Sequence, residues 1–268
     1  MLRVVLLTAD QTRHRYFANS VNQFANVVGV FYQTIKYNPA KAARGVSIEE
    51  ASDVAKRHFA LRDKTELSYF GHNAEFIPAG ATQAQKISFK DLNSQALADK
   101  ICSLQPDVIL TFGVSVLKEP VISVLPGRIF NMHIGLSPYY KGPAGPFFAL
   151  LNGEPEYCGV TIHQIDAGVD DGNIVHQGIP YIIEEDHPHT IGCKCMEIGI
   201  HLLAQTLKEI ECGALQTVPQ WKEGAHEYRR EDFHYGQTEE LYQKLDAGML
   251  YDYCADRDAR DAKVRWVR

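Results

Sequence analysis

The chain has 268 residues, of which 45% are hydrophobic and 22% charged, and a formal net charge of -6. Those fractions exclude a disordered chain, and a chain of this length buries enough surface to need no staples. The acidic balance argues against a nucleic-acid partner, which wants a basic face.

None of the six cysteines forms a Cys-x-x-Cys pair, so neither ribbon-type zinc nor thioredoxin chemistry is indicated, and no metal is expected. No run approaches the ~20 apolar residues of a membrane span. The apolar stretch before Asp10 is too short for a signal segment. The expectation is a reduced, cytoplasmic protein without a membrane partner.

Taken in chain order, Leu2–Leu7 is β-branched and apolar throughout, the pattern of a strand buried on both faces. Thr8–Thr12 reads as a turn, and a helix follows from Thr12 or Arg13 to about Phe24. Val27–Phe31 is the next strand, which makes a βαβ opening. Ser47, with Glu50 three residues later, has the spacing of a capping box for a polar helix through Lys64. Lys86–Phe89 is a weak strand and Asn93–Leu104 a helix. Asp107–Gly113 and Gly127–Asn131 are strands, and Ala144–Leu151 is a short helix.

Gly159–Ile165 and Asn173–Gln177 are further strands, followed by an amphipathic helix over Thr190–Ile210 with Ile198, Leu202 and Leu203 facing the core. The alternation over residues 1–213 predicts a doubly wound α/β domain with a mostly parallel, Rossmann-like sheet. After Gly213 the pattern changes. Residues 214–268 read as a small C-terminal extension, with a loop at Pro219–Gly224, a helix at Glu239–Leu245 and a charged tail from Asp252.

The chemistry concentrates in Asn131-Met132-His133-Ile134-Gly135-Leu136-Ser137-Pro138-Tyr139-Tyr140-Lys141-Gly142, just past a strand, where α/β sheets place their sites. Asn131 and His133 are two residues apart, so an extended backbone points both to one face. An amide donor beside an imidazole suits a reaction that develops an oxyanion and moves a proton. A structural hydrogen-bonding role is the competing reading. A second segment, Gly159 to Ile174, places Asp166, Asp170 and Asp171 after a strand. They are either turn formers or the source of a carboxylate that orients His133.

The first βα turn carries Thr12, Arg13 and Arg15 at a helix start, a position that attracts phosphate. A solvated helix start is the alternative there. Tyr139, Tyr140 and Lys141 either line an acceptor site or pack. His163 reads as a satisfied core histidine or a second-tier site residue, and His187-Pro188-His189 as loop and cap.

Together these segments resemble the folate-dependent formyltransferase family. The pattern is Asn131-x-His133 with Pro138 and Lys141-Gly142, then Gly159-Val160-Thr161-Ile162-His163, and a loop with Asp170-Asp171-Gly172. The resemblance spans roughly residues 105–180. It implies Asn131, His133 and Asp170 as the catalytic trio and 10-formyltetrahydrofolate as donor. It places the folate ring among Val114, Val116, Leu117, Ile122, Asp166 and Gly168, leaving Thr12, Arg13, Arg15, Tyr139, Tyr140 and Lys141 for the acceptor.

The segment Pro146–Glu154 and a short extension are most similar to enzymes acting on nucleotide-linked deoxyamino sugars for surface polysaccharide such as O-antigen. The expected partner is therefore a nucleotide-diphosphate amino sugar. A homodimer is expected, using Tyr242, Leu245, Met249, Leu250 and Tyr251; docking of those residues on their own domain is the alternative. Competing functions are a methionyl-tRNA or glycinamide ribonucleotide formyltransferase, a formyltetrahydrofolate hydrolase, or an idle folate-binding module.

Overall fold

A computed structural model describes residues 1–34, 48–73, 75, 83–143, 145–165 and 172–267. Among these, seven strands form one sheet in the order β3-β2-β1-β4-β5-β7-β8. They are β1 (Arg3–Ala9), β2 (Asn26–Thr34), β3 (Gln83–Ser88), β4 (Val108–Phe112), β5 (Ile129–His133), β7 (Val160–Gln164) and β8 (Ile174–Gly178). The first five run parallel; β7 and β8 continue the sheet antiparallel. The chain builds outward from β1 to β3 and then returns beside β1 as β4. In open α/β sheets such a reversal, here at the carboxyl ends of β1 and β4, is where ligands bind.

Alternate side chains of each central strand feed two cores. Val4, Leu6, Val108, Leu110, Phe130 and Met132 join one cluster; Val5, Leu7, Ile109 and Ile129 join the other. The larger cluster is covered by α1 (Thr12–Phe24), α2 (Asp53–Phe70), α4 (Gly145–Leu151) and α5 (Pro188–Glu211). The smaller is covered by α3 (Gln95–Ser103) and the segment that follows β4. Leu203 is fully buried under the sheet, and Gly178 admits Ile198 and Leu202 close to β8.

Several boundaries differ from the sequence expectations. Ser47 lies outside the described residues, and α2 begins at Asp53, capped by Ser52, whose hydroxyl accepts the Ala55 N–H. A side-chain cap bond satisfies one otherwise orphan donor, and Ser52 is the residue placed to make it. Strand β5 runs on to His133, so both Asn131 and His133 lie within the sheet ladder. The His187 ring caps α5 by accepting from His189 N and Thr190 N, so that helix starts at Pro188. Among the described residues, no helix is long and apolar enough to cross a membrane.

The charged tail is structured. Helices α6 (Gly236–Asp246) and α7 (Met249–Ala255) pack Leu241, Leu250 and Tyr253 into the larger core, and Val264, after α8 (Arg257–Asp261), joins them. Leu245 and Met249 lie half-buried against it, and the Tyr242 hydroxyl reaches His58 Nδ1 at 3.3 Å. Tyr251 stays 61% exposed. The last residues return to the sheet edge, where Gln177 N donates to Val267 O and Val267 N to Gln177 Oε1. A two-stranded sheet joins β6 (Tyr140–Lys141) to β9 (His226–Glu227), so residues 214–268 also touch the segment after β5.

Candidate active site

Strand pairing assembles the site from one row of the sheet. Leu7 pairs with Thr111, Thr111 with Asn131, and Asn131 with His163. Paired residues point to the same face, here the face of the smaller core. The row begins apolar and ends polar. Thr111 Oγ1 donates to Asn131 Oδ1 at 2.8 Å, which fixes the amide so that Nδ2 is the donor end. Asn131 Nδ2 lies 3.1 Å from His163 Nε2. His163 Nδ1 lies 2.8 Å from Gln164 O. A carbonyl only accepts, so Nδ1 holds the His163 proton and Nε2 accepts from Asn131.

His133 sits one pleat further, opposite Thr161, with its ring 6.5 Å from that of His163. Its Nε2 is 2.9 Å from the backbone carbonyl of Tyr140. The backbone at 135 runs just beneath this bond. A Cβ there would stand 2.3 Å from His133 Nε2 and 2.6 Å from Tyr140 O. The intervening turn is held by Thr161 Oγ1, which donates to Gly135 O and accepts from Ser137 N.

The sequence left Tyr139 and Tyr140 either to line the acceptor site or to pack, and the structure buries both rings. Tyr140 is 1% exposed; its hydroxyl donates to Glu154 and accepts from Asn152. Burial, and then the bond to Glu154, push its phenol above the ordinary range. What Tyr140 offers His133 is its carbonyl, not its ring. Tyr139 is also buried, against Tyr157 and Trp221. Lys141 lies half-buried in the β6–β9 ladder.

Thr12 opens α1 at the expected place, but both nearby arginines carry carboxylate partners. Arg13 pairs with Glu66 of α2 at 2.6 Å, and Arg15 with Asp10 at 2.7 Å, which Lys86 also contacts at 2.6 Å. Sequence alone did not expose these pairs because Glu66 and Lys86 come from distant elements. His14, between the arginines, is buried against Phe112, and burial first, then Arg13, pulls its pKa well down.

The segment after β4 carries the four aliphatic residues expected around a folate ring. Leu117 is buried; Val114 and Ile122 pack half-buried on the smaller core; Val116 is 47% exposed. Leu117 is thereby part of the core rather than an open wall. Two residues that the sequence reading missed brace this segment. Gln33 Oε1 accepts from Ser115 N at 2.8 Å. Asn93 donates to Val116 O and accepts from Lys118 N. Gln33 is fully buried, and among the described residues its Nε2 is a buried donor without a partner.

Asp166, Gly168 and Asp170 lie outside the described residues. The chain on either side of them is tied to the site: Gln164 N donates to Asn173 O, and Ile165 N to Ile129 O. Among the described residues, no group of three or more His, Cys, Asp or Glu is arranged to hold a metal ion.

Comparison with known proteins decides the family. The model for formyl transferase matches residues 18–207. The chain belongs to the formyl transferase family.

Similar solved structures agree on the fold of this formyl transferase. An N-formyltransferase from Helicobacter canadensis, in complex with folinic acid and dTDP-3-aminofucose, is 18% identical with a TM-score of 0.55; the alignment covers 90% of this chain and 79% of that one. A sugar N-formyltransferase from a Shewanella species is 19% identical with a TM-score of 0.54, covering 84% and 75%. Glycinamide ribonucleotide transformylase 1 from Symbiobacterium toebii is 17% identical with a TM-score of 0.55, covering 82% and 95%.

Proposed function

We propose that this formyl transferase moves a formyl group from 10-formyltetrahydrofolate to a primary amine on a nucleotide-diphosphate deoxyamino sugar. The observation that carries the proposal is the pairing of an amide donor with an imidazole at one strand end. Asn131 has its donor end fixed by Thr111 and His163, and His133 stands one pleat away.

The chemistry follows from those groups. A neutral amine attacks the formyl carbon, and the carbonyl oxygen becomes negative. Asn131 Nδ2–H stabilises that oxygen. His133 either adds its positive charge, when protonated, or takes the proton that the amine loses. Asp170 is assigned the part of holding the charge of the imidazolium. As the amine bond to carbon forms, the bond from the formyl carbon to the folate nitrogen breaks, and the proton passes to that nitrogen.

The donor site is proposed along Val114, Val116 and Ile122, laid over the buried Leu117, with Asp166 and Gly168. The described part fits a flat heterocycle: an apolar wall with few polar groups, and the partnerless Gln33 Nε2 beneath the segment is a donor suited to a ring that accepts. Thr12, Arg13, Arg15 and Lys141 are proposed to serve the diphosphate end of the acceptor, with Arg13 and Arg15 exchanging carboxylate for phosphate. The amino-sugar reading draws support from the neighbour bound to dTDP-3-aminofucose. A cytoplasmic homodimer belongs to the same reading, and the exposed Tyr181, Ile183 and Tyr251 are surface that a second copy would cover.

The test is release of tetrahydrofolate from 10-formyltetrahydrofolate, with and without dTDP-linked amino sugars. Sugar-dependent turnover supports the proposal. Turnover that needs no amine points to a hydrolase, and silence with every amine reduces the protein to a binding module.

A further inference from the structure

The segment after β4 has no regular structure of its own, and two amide side chains from other elements hold it. Gln33, at the carboxyl end of β2, accepts from Ser115 N through Oε1 at 2.8 Å. Asn93, in the turn before α3, donates through Nδ2 to Val116 O at 3.0 Å and accepts from Lys118 N through Oδ1 at 2.7 Å.

Gln33 is a costly residue for its place. It pairs with Ala9 of β1 and Ile87 of β3, and Ile87 and Phe31 of the same face belong to the smaller core. The side chain is fully buried, and among the described residues Nε2 donates to nothing. A buried donor left unpaired costs about as much as one neutral hydrogen bond contributes, or more. An apolar side chain of equal length would serve the core at least as well. What the amide gives the ligand-free protein is its one bond to Ser115.

That bond and the Asn93 pair fix which backbone groups the segment presents. Between the two clamps, Ser115 C=O and Val116 N–H stay unpaired among the described residues. An acceptor and a donor side by side suit the edge of a pterin, on which donors and acceptors alternate. A strip held in place beforehand also pays less ordering entropy when a ligand binds to it.

We propose that Gln33 and Asn93 are positioning residues for the formyl donor, which set its affinity by clamping residues 115–118 before the folate arrives. The proposal rests on the reading of this segment as the donor site. It accounts for a buried amide that the stability of the sheet does not require.

The experiment titrates the full chain with folinic acid, a folate whose binding can be read without any acceptor. Amide hydrogen exchange is followed with and without it. In the wild type, folinic acid slows exchange over residues 113–118. Gln33→Met, close in shape, keeps Tm at or above the wild-type value because the unpaired donor is gone. It nevertheless raises the Kd by about 3–10-fold, the worth of one neutral hydrogen bond. A residue kept only for stability would move the two readouts the other way. Asn93→Ala, at a half-buried position, raises the Kd in the same direction and replaces Gln33→Met should that variant not fold. In both variants the ligand-free segment exchanges faster.

An unchanged Kd in both folded variants, with the protection of residues 113–118 intact, overturns the proposal alone. No binding to the wild type, or binding that leaves exchange over those residues unchanged, overturns the donor-site reading and the proposal with it.

Discussion

His133 Nε2 and Tyr140 O lie 2.9 Å apart over a residue that has no side chain, Gly135. The contact joins the end of β5 to the start of β6 and depends on empty space beneath it. A methyl group at 135 would stand within 2.3 Å of the ring nitrogen, and neither the ring nor the carbonyl could keep its place. Gly135→Ala is expected to lower kcat by about 100-fold with a smaller loss of thermal stability. Parallel rate measurements and thermal melts check this, and a wild-type rate in a folded Gly135→Ala would contradict the geometry.

Replacement of the two strand-end groups separates chemistry from folding. Asn131→Ala removes one oxyanion donor and is expected to cost about 10²–10³ in rate. His133→Ala is expected to abolish transfer. Circular dichroism should show both variants folded, because both residues lie at the end of a ladder whose backbone pairing is unchanged. Tetrahydrofolate release at saturating donor is the measurement, and turnover near wild type in either variant removes that residue from the site.

Thr111→Val tests how Asn131 is held. The valine keeps the shape and removes the hydroxyl that donates to Oδ1. The amide then keeps its bond to His163 but loses the one that anchors Oδ1, and its orientation is held less firmly. A fall in kcat of about tenfold, with the KM of the donor little changed, is expected for loss of one orienting hydrogen bond. Equal falls in binding of both substrates would instead mark a general distortion.

A buried histidine cluster joins the extension to the main domain and makes stability depend on pH. His58 of α2 faces His189 at 4.4 Å, and His189 faces the capping His187 at 5.7 Å. Burial, aided by Arg62, lowers His58 to about 4. Burial and the neighbouring His58 lower His189 to about 3. The folded values lie below the unfolded 6.5, so the unfolded chain binds protons first as pH falls. The stabilisation is whole above about pH 6.5, declines below it, and is lost by about pH 3–4. The expected result is a Tm lower at pH 5 than at pH 7 by on the order of 5 °C. His189→Leu should flatten that dependence, and an unchanged slope would show that the cluster is not its source.

The tail offers a fifth measurement. A chain ending at Lys263 loses the buried Val264 and both bonds between Val267 and Gln177. Gln177 Nε2 also donates to Ser137 O, in the turn after β5. Removal should lower Tm by about 4–8 °C, from a few kcal/mol of lost burial and hydrogen bonding. An unchanged melt would mean that the tail docks without stabilising the sheet.

The amino-acid sequence by itself determined the strand and helix alternation, the placing of Asn131 and His133 on one face, and the turn rich in glycine and proline that follows them. Those features are local: a period of two, a buried apolar run and a chain-breaking residue each act within a few positions. It did not reveal that Thr111 and His163 would orient Asn131, that Gln33 and Asn93 would brace the segment after β4, or that Glu66 and Asp10 would take Arg13 and Arg15. Each of those partners except Asp10 is brought in from another element by the sheet order and the packing of helices on it. The rings of Tyr139 and Tyr140 illustrate the same divide. Their residue type suited either a ligand or a core, and only the arrival of residues 221–228 beside them, across some 80 positions of chain, buried them and left a carbonyl to meet the imidazole.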